Sequence, residues 1–245
     1  MISRIETTCG RRFLGKAGNK QMIRRVQILL LLCVLLTPAI LQGQSRFFVG
    51  GIGGIATLSA DGQTLITTES VSFSTYRPSN GAALNVFGGT HLNEFLSLQG
   101  NYVWNQNQMT VTSSKASSDS LNVFEERRES SQHGAILDLL LYFRNRESWA
   151  RPYLSAGSGV VRFKSDHRES LNDRGAPARL PIEFTSTELA LRVAVGIDIA
   201  IGRQFAVRYS FSETIRKNPL SSRQSPPGDR NLANFQNLFG IVKYF

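Results

Sequence analysis

Between Leu189 and Ile199 every second side chain is large and aliphatic: Leu189, Leu191, Val193, Val195, Ile197 and Ile199. The alternate positions hold Ala190, Arg192, Ala194, Gly196, Asp198 and Ala200. Strict alternation has the period of a β-strand and excludes an amphipathic helix over this stretch. Phe205, Val207, Tyr209 and Phe211 repeat the pattern against Ala206, Arg208, Ser210 and Ser212. Seen with its neighbours, the chain past residue 45 carries eight such runs. They lie near Arg46–Leu58, Ala82–Thr90, Phe95–Trp104, Gly134–Arg144, Arg151–Phe163, Glu188–Ala200, Gln204–Glu213 and Ala233–Phe245. Each has about the length of a tilted membrane-crossing strand, 9–11 residues.

The links between the runs alternate in length. His91–Glu94, Asn145–Ala150 and Ile201–Arg203 are short; Ser59–Gly81, Asn105–His133, Lys164–Ser186 and Thr214–Leu232 are long and polar. An up-and-down barrel inserted from the periplasm keeps its near-side turns short and lets its outer loops grow. The long links are therefore expected to be solvated loops.

The direction of the apolar face separates a membrane barrel from a soluble one. A lipocalin-like barrel turns large apolar residues inward and a long polar face outward. Here the polar face is mostly Ala and Gly with Arg192 and Asp198 between them. Small residues and mutually satisfied charges suit a narrow interior better than a solvated surface. Pairing Ile199 with Phe205 would set Arg208 diagonal to Asp198, within reach of long side chains. Asp138 shares a face of its run with Ile136 and Leu140 and is a further interior candidate. The expected interior ion-pairing residues are Asp138, Arg192, Asp198 and Arg208. Phe95, Trp149, Tyr153 and Phe205 fall near the short-turn ends, where an aromatic girdle meets the lipid interface.

Charge is concentrated before the runs. The chain carries a formal net charge of +10, yet residues 1–44 hold Arg4, Arg11, Arg12, Lys16, Lys20, Arg24 and Arg25 against Glu6 alone. That leaves 21 of the 28 basic and 17 of the 18 acidic side chains beyond residue 44, so nucleic acid is not an expected partner. Arg24-Arg25, the apolar run Ile28–Leu36 and the stretch from Pro38 to Gln44 have the order of a secretory signal peptide. Met22 begins a better-shaped signal than Met1. Two parts follow: a leader over 1–44 and a barrel over 45–245. Both cysteines, Cys9 and Cys33, lie in the leader, so disulfides, Cys-ligated zinc and Cys nucleophiles are excluded from the rest.

Arg151-Pro152-Tyr153-Leu154-Ser155-Ala156-Gly157-Ser158-Gly159-Val160 resembles a strand start common in OmpA-like bacterial outer-membrane β-barrel domains. The ending Gly240-Ile241-Val242-Lys243-Tyr244-Phe245 resembles their terminal strand, in which a last Phe helps the barrel-assembly machinery recognise the protein; Lys243 stands where that signal prefers an apolar residue. The resemblance implies location in the outer membrane and Phe245 as an insertion signal. The fold expected is all-β, an eight-stranded antiparallel up-and-down transmembrane β-barrel preceded by a signal peptide.

Other chemistry finds little support. Gly51-Ile52-Gly53-Gly54-Ile55-Ala56 fits a dinucleotide-binding pattern, but Ser59-Ala60-Asp61-Gly62 follows as a turn where that motif requires a helix. No cofactor is expected. His91, His133 and His167 lack metal-ligand spacing and are expected to be solvated in loops, with Asp166-His167 a weak pair at most. Glu125-Glu126-Arg127-Arg128-Glu129 is expected to be a solvated face. Arg216, Lys217, Arg223 and Arg230 give the last long link a basic excess that suits lipopolysaccharide phosphates. The expected function is non-enzymatic, structural or surface-interacting, with a closed polar lumen and four long extracellular loops. The rivals are an acyl-modifying enzyme of outer-leaflet lipid A using Ser131 and His133, and a soluble lipocalin-like carrier.

Overall fold

The computed structural model describes residues 46–60, 62–117, 119–174, 181–221 and 230–245. The leader with Met22, Cys9 and Cys33, and Arg223 in the last long link, lie outside the described residues. Ten strands follow in order: β1 Phe47–Ser59, β2 Gln63–Ile66, β3 Ser70–Pro78, β4 Asn80–His91, β5 Leu96–Ser117, β6 Leu121–Tyr142, β7 Ala150–Arg174, β8 Glu183–Ala200, β9 Phe205–Lys217 and β10 Asn231–Tyr244.

Eight of these form a closed antiparallel ring, β1-β4-β5-β6-β7-β8-β9-β10, in which every neighbour follows in chain order apart from the excursion through β2 and β3. The first and last strands seal it, from Phe48 against Tyr244 to Ser59 against Ala233. The Phe245 amide also donates to the Phe47 carbonyl at 2.9 Å. Closure matters because a strand edge in hydrocarbon would leave its backbone donors and acceptors without partners. The β2–β3 hairpin sits beyond the ring: β3 extends the line of β4 along β5, and Ser79 between them still donates to Gln108 O at 3.1 Å.

The alternation in sequence becomes a partition between faces. On β8, Leu191, Val193 and Val195 are 65%, 51% and 48% exposed, whereas Arg192 and Asp198 are buried. Leu137, Leu139 and Leu141 on β6, Phe143 just past its end, and Phe239 and Ile241 on β10 face outward in the same way. In water a continuous apolar band of this kind would be a severe aggregation liability; against acyl chains it lowers the free energy. From Ala135 on β6 to Phe143 just past its end, the band has about the 9–11 residues that a tilted strand needs to cross. The interior has two sides. Phe48, Ile52, Ala56, Ala83, Phe87, Leu238 and Val242 make an apolar wall on β1, β4 and β10. The charged groups stand on the opposite strands.

The long links differ from expectation. Asn105–His133 is not a loop: β5 and β6 have 22 residues each and remain paired from Leu96–Leu141 to Ala116–Leu121. Likewise β7 runs for 25 residues, through Lys164 and beyond, and Ser59–Gly81 contains β2 and β3. At about 3.3 Å per residue these strands reach well past the apolar band. Beyond it neither face needs to be apolar, so the period-two signal fades while the backbone ladder continues. Around Arg168 and Leu171 the β6–β7 register shifts, which bends the ribbon and re-aims its side chains.

Candidate functional site

The interior is the candidate site, built in layers from the short-turn end. At the bottom, Phe48, His91, Tyr142, Tyr153 and Tyr244 pack their rings together, with His91 stacked on Tyr244 at 5.8 Å and Tyr142 against Tyr153 at 5.5 Å. Arg151 lies over the Tyr142 ring at 3.9 Å. Immediately above, Arg208 grips Asp198 with two bonds, Nε to Oδ1 at 2.6 Å and Nη2 to Oδ2 at 2.7 Å. Tyr142 and Tyr244 donate their hydroxyls to the same carboxylate at 3.0 and 2.7 Å.

The third layer is the second ion pair, in which Arg192 Nη1 donates to Asp138 Oδ2 at 2.8 Å. Asn101 Nδ2 donates to that oxygen as well, at 3.0 Å. Gln99 joins the two layers. Its Oε1 accepts from Arg208 Nη1 at 2.7 Å, and its Nε2 donates to Asn101 Oδ1 at 2.7 Å. Arg192 continues to Ser212 at 3.3 Å, and Ser212 to Gln236 at 3.4 Å. A hydrogen-bonded chain thus crosses the interior through strands β5, β6, β8, β9 and β10. Buried charges carry a large desolvation cost, and the two bidentate or multiply bonded carboxylates are the arrangement that offsets it.

Glycines make the room. A Cβ on Gly157 would collide with the Asp138 carboxylate and the Leu137 carbonyl, and one on Gly196 with the Tyr153 ring. Above the second ion pair Val103, Ile136, Val161 and Ala190, from the neighbouring strands β5 to β8, pack into an apolar cluster inside the barrel. A void of about 10 Å³ lies there, lined by Val103, Ile136, Val161, Gln132, Thr214 and Asn234 among others. Higher still, Leu58, Tyr76, Met109, Val111, Phe163, Leu220 and Leu232 pack into an apolar cap.

Several sequence expectations change. Ile199 pairs with Val207, not Phe205, so Asp198 stands directly opposite Arg208. The turn is longer by the two residues needed to carry the Ile201 amide to Phe205 O at 3.0 Å. Arg216 is turned inward, 3% exposed and over the Phe163 ring at 4.4 Å; it cannot reach a lipid phosphate. Its neighbour Lys217, one residue out of phase, and Arg230 are exposed. Tyr153 is interior, not part of the girdle, while Phe95, Trp149 and Phe205 do face outward. The histidines are not loop-solvated. His91 is buried with Nδ1 2.6 Å from Ser97 Oγ, and His133 Nδ1 lies 2.7 Å from Tyr102 OH on the outer face.

The acidic-basic run is also no solvated loop. Arg128 and Glu126 are buried between β6 and β7 and paired at 2.6 Å, and His167 Nδ1 lies 3.0 Å from the other Glu126 oxygen. Arg128 reaches on to Ser165 Oγ at 2.9 Å and Pro181 O at 2.8 Å, tying the ribbon to the start of β8. Glu129, on the outer face, bonds Arg168 and Gln106, and these bonds hold its carboxyl below the ordinary range. Alternation alone marks Glu126 and Arg128 as facing one way, but only the pairing of β7 shows that this face is enclosed. Gln99 and Asn101 were missed as well. They stand in phase with Asn85 and Asp138 on the neighbouring strands β4 and β6, a signal visible only once the register is known. Among the described residues no cluster of His, Cys, Asp and Glu could hold a metal ion.

A closed antiparallel ring with an apolar belt outside and paired charges within defines a membrane β-barrel. The chain belongs to the outer membrane protein beta-barrel domain family, whose model matches residues 28–238. Its fold is similar to that of Neisserial surface protein A, at 14% identity and a TM-score of 0.50 over 83% of this chain and 100% of that one. OprG of Pseudomonas aeruginosa aligns at 12% identity and a TM-score of 0.47 over 82% of this chain and 97% of that one. Ail of Yersinia pestis aligns at 11% identity and 0.45 over 82% of this chain and 100% of that one. No curated protein sequence matches the chain.

Proposed function

We propose that this outer-membrane barrel is a non-enzymatic structural or surface-interaction protein. Its lumen is closed to solutes, its strand extensions and long links face the cell exterior, and its leader is a signal peptide that directs export. The observation that carries the reading is the bonded chain Asp198–Arg208–Gln99–Asn101–Asp138–Arg192, roofed by the Val103–Ile136–Val161–Ala190 contact. A side-chain-filled eight-stranded barrel leaves no water-filled passage. What remains free to act is the region beyond the belt, where β5, β6, β7 and β8 project. Lys217 and Arg230 at that end suit contact with lipopolysaccharide phosphates, and Phe245 suits recognition by the barrel-assembly machinery.

Neither rival gains support. His133 is engaged by Tyr102 on the outer face. A soluble carrier would not expose Leu191, Val193 and Val195. Fractionation of expressing cells with heat-modifiable gel migration tests the reading: the protein is expected in the outer-membrane fraction, migrating faster unheated than boiled. Protease added to intact cells should cleave within the β5–β6 extension and leave a membrane-protected core. Recovery in detergent-free buffer would overturn it, as would turnover of labelled lipid A abolished by His133→Ala.

A further inference from the structure

The short-turn mouth has a feature that neither closure nor surface contact uses. A cavity of about 210 Å³ opens there, lined by His91, Arg146, Ser148, Arg151, Asp198, Arg203, Phe205 and Tyr244 among others. Asp198 is the sole carboxylate among its described lining residues, and its oxygens are taken by Arg208, Tyr142 and Tyr244. None of Arg146, Arg151 and Arg203 makes an ion pair among the described residues.

Arg151 is only 5% exposed, and its Nε is buried without a partner. Among the described residues its one hydrogen bond runs from Nη2 to the Glu94 carbonyl at 3.3 Å. Arg146 has the same arrangement, with Nη2 on the Asn93 carbonyl at 3.1 Å and a buried Nε lacking an acceptor. Both guanidinium groups are therefore fixed by backbone carbonyls of one turn while keeping donors in reserve. Burial, then Arg151 and Arg46, hold the Arg146 guanidinium below its ordinary value, with Glu94 the opposing charge. Like charges held together in a partly desolvated mouth repel, and an anion relieves both costs.

We propose that this cavity binds a phosphate group through Arg146, Arg151 and Arg203. A tetrahedral oxyanion accepts several charge-assisted bonds at once, and arginine forks match its geometry. Phe205 lines the cavity and also stands in the outward-facing row, so the site opens where the barrel wall meets lipid headgroups. The phosphate is thus either that of a phospholipid headgroup or free in solution. The site goes beyond the surface role proposed above; only its placement at the inner leaflet rests on the proposed orientation, and binding itself does not.

The full chain, refolded in phosphate-free maltoside micelles with Trp104→Phe, leaves Trp149 beside the cavity as the reporter, since the chain has 2 Trp. Titration with inorganic phosphate, and separately with dihexanoyl phosphatidylglycerol, is expected to give a saturable fluorescence change. Chloride at matched ionic strength should give none. Arg151→Gln and the double variant Arg146→Gln/Arg203→Gln should each weaken binding by about tenfold or more. Arg77→Gln, outside the cavity, should not. The double variant keeps the test decisive if Arg151→Gln fails to refold. Tighter binding of the lipid assigns the phosphate to a headgroup, and equal or weaker binding to a free anion. A folded, heat-modifiable protein that saturates with neither probe overturns the proposal, and so does binding that the arginine variants leave unchanged.

Discussion

Arg208 and Asp198 show how much a single interior pair contributes. Arg208 donates to Asp198, Gln99 and Tyr142 and is fully buried. Removing one member of such a pair leaves the other charge buried without its partner, a loss of about 3–5 kcal/mol. Arg208→Met is therefore expected to lower the unfolding free energy by about that amount, as measured by urea titration of the refolded protein. Arg208→Met/Asp198→Leu should recover much of the loss, because the double change removes both charges. A single variant as stable as the parent would show that the pair contributes nothing. Gly157 makes the complementary point. Gly157→Val puts a branched side chain where Asp138 and the β6 backbone already lie, and no heat-modifiable species should form.

The β6–β7 ribbon is the element whose stability is separable from the belt. Arg128 holds Glu126, Ser165 and the Pro181 carbonyl together, so Arg128→Ala should speed amide exchange from Phe124 to Ser170 while leaving β8 and β9 protected. The outer face adds a pH-dependent contribution. Glu129 has its carboxyl held below the ordinary range by hydrogen bonds from Arg168 and Gln106. Its contribution is therefore complete above the unfolded-state value of about 4.3 and is lost as pH falls through the lower folded value. Exchange in the ribbon, corrected for its intrinsic pH dependence, should rise on acidification below about pH 4. Glu129→Gln should remove that rise.

Over its described residues the barrel carries its polar network inside and extends β5, β6 and β7 past the apolar belt. Two ion pairs, the joining amides and an apolar cluster lie inside the barrel, and on the proposed closed lumen purified protein in planar bilayers should give no steady conductance. Arg192→Ala/Arg208→Ala removes the cations of the two interior ion pairs and should produce intermittent currents in barrels that still fold. Steady channels from the parent would contradict the filled interior.

Much of this was legible in the chain. Leu189–Ile199 displays the strand period, the outward stripe and the two inward charges together, because a transmembrane strand must place one chemistry on each face. Beyond the belt the same rule relaxes: Asn105–His133 has no apolar period, yet ladder hydrogen bonds hold it as strand all the same. The interior asymmetry was hidden for the opposite reason, since β1 carries mostly apolar or small residues on both faces. The sequence by itself determined the period, the closed-barrel class and the charges that avoid lipid. Only the tertiary structure decided which carboxylate meets which guanidinium, that Arg216 turns inward while Lys217 turns out, and that Arg146 and Arg151 converge. Those facts depend on register and on distances between strands far apart in the chain, and a one-residue shift reverses every side chain's direction.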